Sequence, residues 1–281
     1  MNTLSKIKSH KIIPDPLKDQ FFLMDKSIIE NTVSLADIKP GDVILEIGAG
    51  IGNLTEQLAK TGARIIAFEI DIQFESVLLS LPENVEVHIE DVHEYASGGG
   101  KHLKRKEYNK VIANIPYSIA EWLLHNLAYV EYDKVILLVS KKFANTAKNH
   151  HIFTSFYEIE EKMKVPKDKF FPVPKTNSIV IDLIRLPDPV KTKNLPLFLR
   201  QFIYQKEDWK VKNSLREGLI EYARLVYKKQ LTKRRAKKII EESKISKDYL
   251  ERPPDSLDIY LEIGKTFDKL SLKSKINTNV N

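Results

Sequence analysis

Short apolar runs recur along the first two thirds of the chain, each ending in a turn and followed by residues of helical period. Asp42-Val43-Ile44-Leu45-Glu46-Ile47 enters a glycine-rich turn, and Asn53 to Leu58 then takes on helical character. The pattern continues with strands at Arg64 to Glu69, Val85 to Ile89, Lys110 to Ala113 and Lys134 to Val139, and with helices at Phe74 to Leu81 and Ile119 to Leu127. Alternation of this kind predicts a mostly parallel sheet with helices on both faces. Ser178 to Leu186 reads as one further strand, on the sheet edge. At Leu186-Pro187-Asp188-Pro189 the pattern turns helical, so the boundary between an α/β domain (1–186) and a helical domain (187–281) falls there. Ser97-Gly98-Gly99-Gly100 and the following Lys101 to Lys106 read as an exposed basic loop, and the residues from about Leu272 as disordered.

Composition narrows the function classes. The hydrophobic share of 42% is ample for a buried core. No apolar run approaches the roughly 20 residues needed to span a bilayer, and Met1 to Lys11 lacks the apolar stretch of a secretory signal, which together place the chain in the cytoplasm. The absence of cysteine excludes disulfides, zinc-thiolate sites and thiol nucleophiles. Charge is divided unevenly. Residues 187–281 carry 22 Lys and Arg against 13 Asp and Glu, whereas residues 1–186 carry 23 against 25. The run Lys228, Lys229, Lys233, Arg234, Arg235, Lys237, Lys238 is what a surface tracking a phosphate backbone needs. A solvated lysine-rich helix is the alternative.

Glu46-x-Gly48-x-Gly50-x-Gly52 sits at a strand-to-helix turn, where glycine permits close backbone approach to a ligand and open helix amides face it. The third glycine comes one residue earlier than in the dinucleotide pattern, which favours a ligand without phosphates. Glu69, at the end of the second strand, is placed to accept from both ribose hydroxyls, and Asp91, after the third, from an adenine amino group. Singly, each has a bland alternative: a tight turn, a helix cap or a surface charge. In order on successive strand ends they describe a nucleoside. This pattern resembles the class I S-adenosylmethionine methyltransferases, which implies a Rossmann-like fold and S-adenosyl-L-methionine as cofactor.

Asn114-Ile115-Pro116-Tyr117 follows the fourth strand. An adenine amino nitrogen is a poor nucleophile because its lone pair is delocalised into the ring. The Asn114 side-chain oxygen and the Ile115 carbonyl can accept its two hydrogens and draw it toward tetrahedral geometry, with Pro116 fixing the turn that aims them. Tyr117 offers a face on which a base taken out of its stack can rest. Alignment and electrostatics then suffice, and neither a metal nor a strong general base is needed. The alternative is a proline turn with a capping asparagine and a core tyrosine.

Taken with Pro16-Leu17-Lys18-Asp19-Gln20-Phe21-Phe22-Leu23 and Phe170-x-Pro172-x-Pro174-Lys175-Thr176-Asn177-Ser178, these motifs resemble the ribosomal RNA adenine dimethyltransferases over nearly the whole chain. That family includes small-subunit (KsgA-type) and large-subunit (Erm-type) enzymes. The resemblance implies cofactor contacts at Leu23, Gly48, Glu69, Asp91 and Asn114, and places Phe170 on the target adenine opposite Tyr117. A core aromatic beside a rigid proline loop is the alternative for Phe170. The stretch Phe198 to Gly218 and Arg252-Pro253-Pro254-Asp255-Ser256-Leu257 resemble the basic helical domain of the small-subunit enzymes. The resemblance implies a monomer acting on ribosomal RNA within a small subunit or its precursor. An Erm-type target and a catalytically weak ribosome-assembly or RNA-binding factor are the competing readings.

Three departures stand out. Phe21 replaces a polar contact to the methionine end. Ser140-Lys141-Lys142 reverses a charge at Lys142. The loop Asn145 to Ser155 is shortened; within it His150 and His151 read as exposed residues rather than metal ligands, since no acid or cysteine completes a site.

Overall fold

The computed structural model describes residues 3–97, 107–128, 130–150, 152–206, 208–268 and 270–277. The expected basic loop at 98–106 lies outside them. The chain divides into two compact units, one of residues up to Lys148 with Glu158–Ile184, the other of Asn149–Tyr157 with everything from Arg185 on.

The first unit is built on a seven-stranded sheet. Its strands are β1 (Val43–Ile47), β2 (Arg64–Glu69), β3 (Val85–Ile89), β4 (Lys110–Asn114), β5 (Lys134–Ser140), β6 (Tyr157–Val165) and β7 (Ser178–Arg185). They lie in the order β3-β2-β1-β4-β5-β7-β6. The first five run parallel, and β7 pairs antiparallel with β5 through Leu138 and Val180. The central strands β1 and β5 are apolar runs buried on both faces, as parallel strands covered by helices must be. Among the described residues, seven helices accompany them: α1 (Thr3–Ser9), α2 (Lys26–Ser34), α3 (Asn53–Ala59), α4 (Glu75–Leu78), α5 (Val92–Ser97), α6 (Tyr117–Leu127) and α7 (Lys141–Lys148). A two-stranded ribbon pairs Phe22 with Phe171 and Leu23 with Phe170.

Several expectations change here. The sheet edge is β6, not the strand beginning at Ser178, which lies one place further in. β6 reads YEIEEKMKV: Tyr157, Ile159, Met163 and Val165 alternate with charged residues, and Glu161 interrupts the apolar series. Charges along an edge strand deter pairing with other chains, and they also hide the strand from sequence patterning. The helix expected over Phe74 to Leu81 is a 3-10 turn at Ile72–Phe74 followed by one turn of α4.

The second unit contains α8 (Phe153–Phe156), α9 (Leu195–Tyr204), α10 (Val211–Tyr227), α11 (Lys233–Glu242), α12 (Lys247–Glu251), α13 (Leu257–Asp268) and α14 (Leu272–Asn277). Segment 149–157, placed by sequence in the first domain, is tied into it. Leu186 N donates to Phe156 O (2.9 Å), Gln201 Nε2 to Ser155 O (2.9 Å) and Arg200 to Thr154 Oγ1 (2.9 Å). The stretch from Leu272, expected to be disordered, begins as a helix anchored by Leu272, which is 1% exposed. Its mostly polar composition conceals that anchor.

Candidate active site

Strand order reverses between β1 and β4, and in open α/β sheets the crevice at the carboxyl ends of such neighbours is where ligands enter. β1 ends at Ile47 and passes into the turn from Gly48 to Gly52. Gly48 has φ +77°, and a Cβ there would lie 2.7 Å from the Pro116 ring. Glycine is required by both conformation and contact, and it brings the two motifs together. Gly48 N and Ala49 N both donate to Phe68 O (2.9 and 3.0 Å), and Gly50 N donates to Glu69 Oε2 (2.8 Å).

Three carboxyl groups face this crevice from the ends of successive strands. Glu46 is 1% exposed, its Oε2 makes no hydrogen bond, and burial pushes its pKa up to about 8. Glu69 accepts from Gly50 N and, through Oε1, from Asp71 N (2.9 Å); burial raises its pKa as well. At Asp91 burial also pulls upward, but the backbone N–H (2.9 Å) and ring Nδ1 (2.7 Å) of His93 outweigh it and hold the carboxyl below its ordinary range. All three line one cleft of about 660 Å³, together with Leu23, Gly48, Gly50, Asn114, Ile115, Pro116 and Phe170.

Asn114 closes β4 half-buried. Ile115 N donates to Leu138 O (3.2 Å), which pins the turn to β5, and Pro116 leads into α6. The side chain of Tyr117 lies outside the described residues. Phe170 is 3% exposed and belongs to the hydrophobic core while also lining the cleft. Phe21 is half-buried against the same core. Ser140 Oγ caps α7 by accepting from Phe143 N (3.0 Å), and Lys141 and Lys142 are exposed. His150 is half-buried with its ring 4.3 Å from that of Phe153, which corrects the expectation of an exposed loop residue; His151 lies outside the described residues.

The structure adds groups that sequence reasoning did not single out. Asp71 accepts from Lys18 Nζ (3.0 Å) and Gln20 Nε2 (2.9 Å), which fastens the amino-terminal segment beside the cleft. Asp19 Oδ2 accepts from Ser118 N (3.1 Å), joining that segment to the start of α6. Asp19 lies inside the Pro16–Leu23 motif and Asp71 two residues after Glu69, and only those places mark them in the sequence.

The basic run belongs to the second unit. Lys228 closes α10 at φ +54°, and Lys229, Lys233, Arg234, Lys237 and Lys238 are exposed. Arg235 is half-buried and donates through Nε to Lys275 O (3.0 Å). Ala236, Ile239 and Ile240 form the buried face of α11.

The family model described as "Ribosomal RNA adenine dimethylase" matches residues 18–248. "Ribosomal RNA small subunit methyltransferase A" of Thermotoga maritima is 34% identical over 216 residues, 71% of this chain and 74% of that protein. The protein of the same name in Staphylococcus aureus is 34% identical over 190 residues, covering 62% and 64% of the two chains. Among solved structures, a dimethyladenosine transferase from Plasmodium falciparum superposes with a TM-score of 0.56 at 21% identity, over 88% of this chain and 98% of that one. The 23S rRNA methyltransferase ErmE gives 0.51 at 19% identity, over 88% and 100%. These two likenesses concern the fold. The breadth of the family match and the third of positions shared with the Thermotoga protein establish that this chain belongs to the ribosomal RNA adenine dimethylase family.

Proposed function

We propose that this chain transfers methyl groups from S-adenosyl-L-methionine to the exocyclic amino group of adenines in small-subunit ribosomal RNA. The observation that carries the reading is the contact between Gly48 and Pro116, which opens the glycine turn and the Asn114–Tyr117 turn onto one cleft. The relatives named for the small subunit favour that substrate.

The cleft suits the cofactor chemically. Its wall carries Glu69 and Asp91, carboxyl groups that attract a sulfonium nucleoside and repel a nucleotide phosphate, while Glu46 behind them is kept neutral by burial. Lys18, the one lysine on the wall among the described residues, is paired with Asp71. Glu69 would hold the ribose and Asp91 the adenine amino group, with Leu23, Gly48 and Gly50 packing beside them. When bound, the cofactor supplies an electrophilic methyl group.

The protein's part is to prepare the nucleophile. Asn114 Oδ1 and the Ile115 carbonyl accept from the two amino hydrogens of the target adenine and localise the nitrogen lone pair. Pinning of Ile115 to β5 and the fixed φ of Pro116 hold those acceptors still, so little reorganisation is needed at the moment of reaction. Tyr117 and Phe170 hold the base between them. Lys228, Lys229, Lys233 and Arg234, with Arg235 behind them, supply positive charge for the RNA backbone.

The test is transfer of radiolabelled methyl from S-adenosylmethionine to undermethylated small ribosomal subunits, with large subunits and naked RNA alongside. Labelled dimethyladenosine from small subunits alone is the expected result. Label in large subunits instead would assign the Erm-type substrate, and no label from a protein that binds subunits would leave an assembly factor.

A further inference from the structure

The helix α1 precedes the span that the family model matches, and one of its side chains reaches the cofactor turn. Lys6 is 3% exposed. Its ammonium donates to Ile51 O (3.2 Å) and Asn53 Oδ1 (3.3 Å), and it pairs with Glu56 Oε1 at 2.6 Å. An ammonium withdrawn from water is tolerated only where its protons find acceptors, and here a carbonyl, an amide oxygen and a carboxylate meet it. All three belong to the glycine turn or to the first turn of α3.

The surrounding contacts extend this anchor to the cleft. Asn53 Nδ2 donates to Thr3 Oγ1 (2.8 Å) and to Leu23 O (2.9 Å), and Leu23 lines the cleft. Ile51 stands between Gly50 and Gly52. Gly50 N is held by Glu69, while Ile51 O is held by Lys6. A turn with three glycines at positive φ has many accessible shapes, so its working shape must be imposed from outside. Glu69 cannot do this alone, because on the reading above the same carboxylate receives the ribose.

We propose that Lys6 is a positioning residue for the cofactor turn: its buried ammonium fixes the segment from Gly50 to Asn53 and, through Asn53, the backbone of Leu23, so that the cleft is formed before the cofactor arrives. This rests on the assignment of that cleft to S-adenosylmethionine. Lys6 touches neither cofactor nor substrate, so its effect is on binding rather than on the chemical step.

Lys6→Met retains the aliphatic stem and removes the charge. In the full chain the calorimetric Kd for S-adenosylmethionine should rise about 10-fold, as expected if the competent turn falls to roughly a tenth of the population. KM for the cofactor should rise with it while kcat changes little, and amide exchange across Gly50–Leu54 should quicken without ligand. Lys6→Met/Glu56→Met removes both charges; it should regain thermal stability without regaining affinity. A lower Tm with unchanged Kd and unchanged exchange at the turn would overturn the proposal. If Lys6→Met does not fold, Glu56→Gln serves: a weakened cofactor affinity supports the proposal and an unaltered one overturns it. Failure of the wild-type chain to bind S-adenosylmethionine would instead count against the cofactor assignment itself.

Discussion

The cleft of the first unit and the helix α11 of the second use charge in opposite ways. In the cleft, carboxyl groups are few and buried or hydrogen-bonded: Glu69 is held by Gly50 and Asp71, Asp91 by His93, and Glu46 is buried with Oε2 unbonded. On α11, cations are many and mostly exposed, and Arg235 is fixed on the carbonyl of Lys275. A reaction centre needs particular atoms in particular places, whereas a surface following a phosphate backbone needs density of charge. Substitutions in the cleft should therefore act singly and strongly, and those on the helix weakly, additively and in proportion to salt.

The sharpest form of that contrast is Asn114→Ala. Losing one preorganised acceptor costs about 100- to 1,000-fold in kcat where the site is built around it. Affinity for ribosomal RNA should stay within about twofold, since no phosphate contact is lost. Steady-state methylation and filter binding on the same preparation measure both; undiminished turnover would remove Asn114 from its assigned role.

Glu46 gives the next largest effect. Its pKa in the folded chain is about 8, above the ordinary 4.5 that it regains on unfolding. Between those values the folded chain holds a proton that the unfolded chain releases. Its contribution to stability is thus complete below about pH 4.5 and is lost as pH rises toward 8. Glu46→Gln stays neutral, so the ligand-free variant should match wild type near pH 4.5 and exceed it by roughly 4 kcal/mol at pH 8.5. Thermal unfolding across that range tests this, and parallel curves would mean that the carboxyl ionises freely.

Gly48→Ala should follow. The substitution combines positive φ with the 2.7 Å approach to Pro116, and about 2 kcal/mol of stability should be lost. Gly62 also has positive φ, but a Cβ there meets nothing within 4 Å. Gly62→Ala therefore bears the backbone strain alone. The difference in Tm between the two variants isolates the contact that joins the motifs, and cofactor affinity should fall only for Gly48→Ala.

Legibility followed the same division. Strands β1 to β5 were readable because apolar runs between turn residues are what a doubly covered parallel sheet imposes. The residues of the glycine turn and of Asn114–Pro116 were readable because close approach and a fixed turn demand particular residue types. Contacts between distant segments left no local trace: nothing near Lys6 announces Glu56, and nothing near Asp19 announces the N–H of Ser118. β6 was hidden by its own edge charges, and α14 by the mostly polar sequence around Leu272. Segment 149–157 joins the second unit through ties to α9 that span 46 residues of chain, beyond the reach of any local pattern.

The smallest effect belongs to the basic face, and it tests whether α11 is an RNA surface or an ordinary solvated helix. Lys233→Gln/Arg234→Gln removes two exposed cations while leaving the buried face of Ala236, Ile239 and Ile240 intact. If both neutralise phosphates, the slope of log affinity against log salt should shrink by about 1.5, with roughly a 10-fold loss of affinity at low salt. Turnover at saturating RNA should be unchanged. Arg235→Gln separates charge from position, because its guanidinium is spent on the carbonyl of Lys275: it should lower Tm more than the double variant does and alter the salt slope less. Equal slopes in all three proteins would return α11 to the solvated-helix reading and move the RNA contact elsewhere.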